Sequence, residues 1–459
     1  MSRSTALSPQ TVEAAAQPYG RAGIAFGRRS FLLAAVGLVW IGPAFLDARF
    51  AFGILAWDLL LLIAAVIDLY RLPRPSQLTV VRQWAGPVAL SVKSSVALGL
   101  RNDGNVPVVA ELLDDVPAQL RNEIPHVELT AAVRAESIGT YDITPSERGD
   151  SDLGDVYIHY QSPLRLAERW ARAPLAQTVR IYPNLEQAKQ QAIHLARSRQ
   201  IELQQRQARN RGTGREFESL REYAKGDDFR NICWTATARR GKLVSKLYQA
   251  ERSQTIWVVL DCGRLMRARL AGLAKLDYAV NTALCLAEVA LYSGDRVGLL
   301  AYDREPNHRL LPQRGSAHLR LMMEQLVDVR AGALEADHLR AVSALMNSQK
   351  RRSLVIWLTD LAETAMTPEV IDAALQLTPQ HLVLFTVVGQ PDLLTMATQD
   401  PKTAEQMYQA SAAQEIIQRR QVLLARLRDR GVLLVEVDTA AMSAAVVNAY
   451  LDIKQQNRL

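Results

Sequence analysis

The chain has 459 residues, too many for one hydrophobic core, so we expect two or three domains. Hydrophobic residues make up 49% and charged residues 22%, the balance of a largely globular protein, with a net charge of only +7. This charge fits an anionic membrane surface as well as nucleic acid, but no DNA- or RNA-binding fingerprint is visible, so no nucleic-acid partner is expected. The three cysteines show neither zinc spacing nor a disulfide framework, which fits a reducing compartment.

The N-terminal region divides into a polar start and two apolar stretches. Residues 1–30 are small and polar, and we expect them to be disordered. Residues 31–46 and 50–69 each approach the ~20 apolar residues that a spanning helix needs. Because the connection 47–49 is tight enough for a helical hairpin, residues 31–70 are predicted to form two transmembrane helices.

Charged residues around the hairpin predict its orientation. The flanking arginines are Arg21, Arg28 and Arg29 before it and Arg71, Arg74 and Arg82 after it. The connection carries only Arg49, so the positive-inside rule places both termini and the soluble domains in the cytoplasm, at the inner membrane. Arg28-Arg29 also resembles a twin-arginine export signal, but a second apolar segment follows and no A-x-A cleavage site is evident.

An acidic residue, Asp58, falls inside the second apolar stretch. A carboxylate is costly there unless it is paired or faces protein. It therefore faces a partner helix, or the span is shifted so that Asp58 lies nearer the outer interface.

The next two segments differ in pattern. Residues 76–183 alternate apolar and polar positions between turn signals, as in 95–101 followed by the turn 102–105, which predicts a small β-sandwich acting as a spacer or interaction module. Residues 184–250 begin with a basic helix at 185–211, which is either solvated or in contact with lipid headgroups.

Within 184–250, residues 214–239 alternate arginine with carboxylates around aromatic side chains. Such a segment can form an ion-pair lattice that pins it to the following domain. The residues assigned to this signature and to partner binding are Arg221, Glu222, Tyr223, Gly226, Asp227, Asp228, Arg230, Trp234 and Arg239.

Residues 251–459 alternate strand and helix patterns, which predicts a doubly wound α/β domain. The apolar runs 255–260 and 354–358 read as central parallel strands, and Asp261 and Asp360 follow them closely. Ligands of open α/β sheets bind outside the carboxyl ends of such strands, so we expect both aspartates at one crevice.

At the signature the chain resembles the domain-of-unknown-function 58 family. The resemblance rests on Leu-Arg-Glu-Tyr-x-x-Gly-Asp-Asp-x-Arg-x-Ile-x-Trp-x-x-x-Ala-Arg over 220–239 and on the strand that ends at Asp261, with similar residues upstream at Arg148-Gly149 and 162–164. Cys233 departs from the polar residue often found there. The resemblance implies a bacterial membrane protein with a von Willebrand factor A-like domain that works with a MoxR-type AAA+ ATPase.

The resemblance also predicts where a metal ion would bind if the chain kept such a site. Such domains usually hold Mg²⁺ by Asp-x-Ser-x-Ser, a Thr and a further Asp. Asp261 and Asp360 match the two aspartates, Gly263 and Leu265 replace the serines, and Asp337 lies near the position of the Thr. We therefore expect no cofactor, with a degenerate Mg²⁺ site at Asp261, Asp337 and Asp360 as the alternative. Arg264 is expected to pair with Asp261 or Asp360 in the metal's place. It is also assigned to partner binding, because the crevice at the strand ends is expected to bind a protein partner with Arg264 in or beside it.

The favoured function is a membrane-anchored, non-enzymatic adaptor that assists a MoxR-type ATPase in assembly or maturation of protein complexes. ATP hydrolysis would come from the partner, since no Gly-x-x-x-x-Gly-Lys-Ser/Thr loop is present. One alternative is a metal-dependent hydrolase or nuclease using Asp261, Asp303 and Asp360. The other is a purely structural envelope scaffold.

Overall fold

The computed structural model describes residues 10–20, 23–45, 47, 51–184, 216–224, 229–249, 253–361, 369–389, 391–456 and 458. The chain divides into two compact units, Met1–Tyr182 and Pro183–Leu459, which are described separately. The predicted basic helix at 185–211 and the signature residues Gly226, Asp227 and Asp228 lie outside the described residues.

The first unit starts with short strands that lead into apolar helices. These elements are β1 (Val12–Ala15), β2 (Gln17–Pro18), β3 (Ile24–Phe26), α1 (Arg28–Gly37), α2 (Ile41–Ala44) and α3 (Ala51–Arg71). Strands β1, β2 and β3 all pair with strands of the β-rich region that follows. The expectation of disorder over 1–30 is therefore wrong for the described residues of that range.

The β-rich region follows the helices. Its strands are β4 (Leu78–Trp84), β5 (Val88–Ala89), β6 (Ser94–Asn102), β7 (Val108–Asp114), β8 (His126–Ala131), β9 (Ala135–Ile143), β10 (Gly149–Leu153), β11 (Val156–Gln161), β12 (Ala167–Ala173) and β13 (Gln177–Tyr182). One sheet has the order β1-β4-β6-β9 and another the order β2-β12-β11-β7-β8. Alternate residues of both, such as Leu98, Leu100, Leu112 and Ile158, share one apolar core.

A charged pair lies inside this β structure. Arg82 and Asp114 are both fully buried and form an ion pair. Arg82 also donates to the carbonyl oxygens of Leu175 (2.7 Å) and Gly154 (3.0 Å), and the Tyr141 hydroxyl donates to Asp114 at 2.6 Å. Arg82 therefore belongs to the β core, so its predicted place among the cations that flank the membrane segment is wrong.

The two apolar stretches take different forms. Helix α3 contains the one segment of the described residues, Phe52–Arg71, that is long and apolar enough to cross a membrane. The first stretch is broken into α1, a 3₁₀ turn at Leu38–Trp40 and α2, so the prediction of two spans is not confirmed. The first stretch nevertheless packs on α3, where the Trp57 indole donates to the Leu33 carbonyl oxygen at 2.9 Å.

The start of α1 and the end of α3 attach to the same β-domain loop. Asp68, near the end of α3, is buried and accepts hydrogen bonds from Ser162 Oγ (2.6 Å) and from the backbone amides of Leu166 (3.2 Å) and Ala167 (3.1 Å). Ser30, near the start of α1, donates to the Leu166 carbonyl oxygen at 2.7 Å. Residues 162–167 therefore hold the helical pair at one end.

The second unit alternates strands and helices. Its elements are β14 (Glu216–Glu222), α4 (Trp234–Arg240), β15 (Val244–Gln249), β16 (Thr255–Asp261), β17 (Arg269–Leu270), β18 (Leu273–Ala274), α5 (Lys275–Tyr292), β19 (Arg296–Tyr302), β20 (Pro306–Gln313), α6 (Ser316–Asp328), α7 (His338–Ser348), β21 (Leu354–Thr359), α8 (Glu369–Leu377), β22 (Leu382–Val388), α9 (Pro391–Thr398), α10 (Ala404–Asp429), β23 (Leu433–Val437) and α11 (Met442–Gln455).

The main sheet has the order β20-β19-β16-β21-β22-β23, and its strands are parallel except for the antiparallel edge strand β20. Helices α5, α6 and α11 cover the face that carries Ile256, Val258 and Leu260. Helices α7, α8 and α10 cover the face that carries Trp257 and Val259. The predicted doubly wound α/β fold is confirmed, and the order of strands reverses at β16, where a ligand crevice is expected.

Candidate functional site

The two predicted aspartates meet at the carboxyl end of the central strands. Asp261 is the last residue of β16, Asp360 follows β21 directly, and these strands are parallel neighbours. Both side chains are buried, with 4% and 1% of the residue surface exposed. The two aspartates thus lie at one sheet edge, but their burial means that neither carboxylate is presented to solvent.

Asp261 is held by the loops around it. Its Oδ2 accepts a hydrogen bond from Thr359 Oγ1 at 2.6 Å, and its Oδ1 accepts one from the Gly263 amide at 2.7 Å. Burial raises the pKa of Asp261 above its ordinary value, and the negative charge of Asp360 acts in the same direction. Nearby His338 and the two hydrogen bonds oppose that rise in pKa.

Asp360 is neutralised by a lysine. The Lys275 ammonium lies 2.5 Å from Asp360 Oδ2, and both side chains are buried. Arg264, predicted from sequence to pair with Asp261 or Asp360, forms a largely exposed ion pair with Glu335 at 2.9 Å. A cation does stand against the carboxylate where a metal was considered, but Lys275 provides it.

The position of Lys275 in the sequence indicated that it has a carboxylate partner. Lys275 is the first residue of α5, and the positive end of the helix dipole disfavours a cation there. A lysine at that position, adjoining the apolar face of a buried helix, implies a carboxylate partner nearby. Nothing in the local pattern identifies that partner as Asp360, which lies 85 residues away.

The neighbouring loops close tightly over the end of β16. The Gly332 amide donates to the Cys262 carbonyl oxygen at 2.6 Å, and the Arg264 amide donates to that of Leu334 at 2.9 Å. A Cβ atom at Gly263 would lie 3.0 Å from both the backbone nitrogen and the Cβ of Ala336. A serine at 263, the residue that a metal site of this kind requires, does not fit without movement of the loop.

The third predicted ligand has another role. Asp337 is the N-terminal cap of α7, and its carboxylate accepts from the Arg340 amide at 2.8 Å. Among the described residues, no three His, Cys, Asp or Glu side chains are grouped as a metal site. With an ammonium on Asp360 and no serine hydroxyls, these residues do not fit the oxygen octahedron of Mg²⁺, and the predicted set Asp261, Asp337 and Asp360 is corrected accordingly.

The three aspartates of the hydrolase alternative, Asp261, Asp303 and Asp360, each bond to different partners. Asp303 Oδ1 accepts a hydrogen bond from the Glu305 amide at 3.1 Å. Asp261 is bonded to Thr359 and Gly263, and Asp360 to Lys275. These contacts provide local turn and core structure, and the three carboxylates do not form a common cage.

A buried aromatic network beside the aspartates was missed from sequence. The Trp357 indole donates to the Tyr302 hydroxyl at 2.7 Å, and that hydroxyl lies 2.8 Å from His338 Nδ1. Burial raises the pKa of Tyr302 well above its ordinary value and lowers the pKa of His338, although nearby Asp261 opposes the shift at His338. Because the hydroxyl already accepts from Trp357, it can donate its own hydrogen to His338 Nδ1 when the imidazole carries its hydrogen on Nε2.

The described part of the signature forms a separate two-stranded ribbon. Strands β14 and β15 pair antiparallel, and α4 lies between them in the chain. Phe229 and Trp234 are 74% and 68% exposed. Trp234 therefore does not pin the segment to the sheet domain, contrary to the role suggested by the ion-pair lattice.

Other signature residues are spread over the ribbon. The Tyr223 and Phe229 rings lie 5.7 Å apart, and Glu222 forms an exposed ion pair with Lys242 at 3.2 Å. The exposed arginines of this segment are Arg221, Arg230, Arg239 and Arg240. The described signature residues thus combine two exposed aromatic side chains with a basic surface.

Residues 219–421 match the family model described as "Protein of unknown function DUF58". The uncharacterized protein YeaD of Bacillus subtilis (strain 168) is 24% identical over 197 residues, which are 43% of this chain. The match covers 46% of YeaD, so the chain spans about half the length of this curated relative.

The solved structures that are similar to the chain include three that match over less than half of it. The conserved hypothetical protein BatB from Bacteroides thetaiotaomicron is 15% identical, with a TM-score of 0.31, over 44% of this chain and 99% of BatB. An aerotolerance-related membrane protein from Bacteroides fragilis NCTC 9343 is 14% identical, with a TM-score of 0.30, over 43% and 98%. A von Willebrand factor type A protein from Catenulispora acidiphila is 11% identical, with a TM-score of 0.27, over 45% and 43%.

Proposed function

We propose that this chain, whose residues 219–421 match the DUF58 family model, is a membrane-anchored protein-interaction module. We further propose that its binding is independent of divalent cations and that its partner is a MoxR-type AAA+ ATPase. In this proposal the module assists assembly or maturation of protein complexes, and the ATPase supplies the hydrolysis. The module itself is not an enzyme.

The exposed aromatic pair of the signature ribbon carries this proposal. Phe229 and Trp234 leave most of their surface in water, which is unfavourable for an isolated surface. Arginine and large aromatic residues are the types that dominate binding energy at protein interfaces. The exposed Arg221, Arg230 and Arg239 lie on the same short segment and complete such a surface.

The occupied carboxylates support binding without a cation and without catalysis. Asp360 is paired with Lys275, and Asp261 accepts hydrogen bonds from Thr359 and Gly263. A general base or nucleophile must reach its substrate, and these groups are enclosed. An adhesion-type site that needs Mg²⁺ also requires free oxygen ligands, which this arrangement uses internally.

The helical pair supports membrane anchoring. Most large side chains of α3 that precede Asp68 are exposed and apolar, such as Phe52, Leu55, Leu59 and Ile63. In the proposed topology the broken first stretch also crosses the membrane and forms a hairpin with α3. Arg28, Arg29, Arg71 and Arg74 then lie at the same end of the hairpin. The positive-inside rule then places this end, and the soluble domains, on the cytoplasmic side of the inner membrane. A C-terminal reporter that is active only in the cytoplasm tests this orientation, and activity of a periplasmic reporter would contradict it.

The partner proposal is tested by co-purification. The full chain, extracted in detergent from membranes of the source bacterium, is expected to retain the MoxR-type ATPase of that organism. Trp234→Ala and Phe229→Ala are each expected to reduce retention about tenfold or more, because each removes an exposed aromatic anchor. Tyr292→Ala is the matched control, since Tyr292 is 79% exposed on α5 of the same unit and lies outside the signature.

The outcomes separate the parts of the proposal. Retention that is unchanged in both signature variants would remove the ribbon as the interface. Absence of the ATPase from the wild-type preparation would overturn the partner and leave the scaffold alternative. The same preparation in EDTA and in excess Mg²⁺ should retain equal amounts of partner, and loss in EDTA would contradict cation independence.

A further inference from the structure

An acidic side chain lies exposed in the middle of the apolar helix α3. Asp58 is exposed, and so are the neighbouring apolar side chains Leu55, Leu59 and Leu62. Asp58 has no hydrogen-bond or ion-pair partner among the residues that the structure describes. The helical pair thus leaves one carboxylate on its apolar outer surface.

The contacts of Asp68 determine the depth of Asp58. Asp68 is tied to the β domain by Ser162 and by the amides of Leu166 and Ala167, so the polar boundary of α3 lies at Asp68. Asp58 precedes Asp68 by ten residues, a distance of about 15 Å along a helix. This is half of a hydrocarbon core that is ~30 Å thick. The sequence alternative, in which Asp58 lies near the outer interface, would pull the β-domain loop into the lipid.

The first apolar stretch does not cover Asp58. It packs on α3 through Trp57, whose indole donates to the Leu33 carbonyl oxygen, and through Gly37, which lies against the Trp57 ring. Trp40 packs on Gly53, where a Cβ would lie 3.0 Å from the indole. The tight positions are therefore Gly37 and Gly53, and the exposed carboxylate is outside this interface.

The chain's own apolar segments offer no counter-charge. Residues 31–46 and 50–70 contain no Lys, Arg or His, and Arg49 lies nine residues from Asp58 in the connection. A second copy that met this face would place one Asp58 against another, and like charges in a medium of low dielectric constant repel. The complementary group must therefore come from a different protein.

On the premise of the proposed membrane anchoring, we propose that Asp58 is an intramembrane docking residue that pairs with a Lys or Arg side chain at the middle of a transmembrane helix of another membrane protein. Ionisable residues inside a membrane are costly and are paired with one another within helical bundles. Apolar side chains around Asp58 would pack against the partner helix, and the ion pair would set its depth and its rotation.

The test uses a defined probe in lipid vesicles. Full-length protein with a fluorescence donor is reconstituted with an acceptor-labelled leucine-rich transmembrane peptide that carries one central Lys. An otherwise identical peptide carries Leu at that position. We expect the Lys peptide to associate about tenfold more strongly than the Leu peptide with the wild-type chain. Asp58→Asn and Asp58→Leu should abolish this preference, whereas Leu59→Ala, on the adjacent exposed position, should retain it.

The remaining arms identify the way in which the inference would fail. Equal association of both peptides with a wild-type chain that floats with the vesicles overturns Asp58 pairing and leaves the proposed anchoring intact. A wild-type chain that does not float with the vesicles overturns both. Self-association of donor- and acceptor-labelled copies that disappears in Asp58→Leu would assign this face to a second copy of the chain and overturn the heteromeric pairing.

Discussion

The Lys275 ammonium lies 2.5 Å from Asp360 Oδ2 at the carboxyl end of the central strands, and both groups are buried. Lys275 begins α5 and Asp360 follows β21, so the pair joins a helix to the strand end where a ligand crevice was expected. The positive charge that an adhesion-type site would take from a metal is supplied here by the chain itself.

Removal of Lys275 should destabilise the sheet domain strongly. Lys275→Met leaves the Asp360 carboxylate buried without its lysine partner, at an expected cost of ~3–5 kcal/mol in the free energy of unfolding. The double variant Lys275→Met/Asp360→Leu should recover most of this loss. Hydrogen–deuterium exchange of β21 amides in the full chain, in detergent and increasing urea, measures the effect. Arg264→Met, which breaks the exposed pair with Glu335, is the matched control and should cost at most ~1 kcal/mol.

Restoration of a serine at Gly263 should not restore a metal site. Its Cβ would meet Ala336 at 3.0 Å, so Gly263→Ser is expected to cost ~1–3 kcal/mol through overpacking. The relief variant Gly263→Ser/Ala336→Gly should regain part of that stability. Thermal melts with and without Mg²⁺ measure both effects, and a rise of melting temperature in Mg²⁺ would show that the loop still admits a cation.

The raised pKa of Asp261 should appear in the pH dependence of stability. Burial raises this pKa, so the folded protein holds the proton more tightly than the unfolded chain does. The stabilising contribution is fully present below pH ~3.9 and is lost as the pH rises through the folded pKa. Asp261→Asn imitates the protonated form and should flatten this decline. A parallel pH dependence in the variant and the wild type, measured by urea titration, would refute the shift.

His338 should have the opposite pH dependence. Burial lowers its pKa, so its contribution to stability is fully present above pH ~6.5 and is lost as the pH falls through the folded pKa. His338→Gln keeps an acceptor for the Tyr302 hydroxyl and should reduce the loss of stability on mild acidification. Exchange protection of β19 amides at a series of pH values measures this loss. The control His308→Gln changes a partly exposed histidine of the same unit that lies outside the Tyr302 and Trp357 network.

The buried pair of the β domain offers a test of the first unit alone. Asp114→Ala leaves Arg82 buried without its carboxylate and should cost ~3–5 kcal/mol. Tyr141→Phe removes only the hydroxyl that donates to Asp114, at an expected cost of ~1.5–3 kcal/mol. Exchange protection of β7 and β11 amides gives both values. Equal losses in the two variants would mean that the ion pair contributes no more than the single hydrogen bond.

The local pattern was sufficient for the sheet domain and its central aspartates. Strands β16 and β21 are continuous apolar runs, and only a strand covered on both faces buries every side chain of such a run. The position of Asp261 and Asp360 at the same sheet edge follows directly from parallel pairing. The apolar composition of α3 likewise indicated a helix able to cross a membrane.

Tertiary structure decided the long-range contacts. Lys275 meets Asp360 across 85 residues, Asp68 meets the amides near residue 166 across 98, and β1 pairs with β4 although a helical pair lies between them. Each contact depends on how separate elements pack, and no local periodicity reports which distant side chain will be buried beside a given charge. The sequence by itself therefore determined the class of fold and the sheet edge at which Asp261 and Asp360 lie, whereas packing decided that a lysine holds Asp360 and that Asp58 remains exposed halfway along the apolar helix.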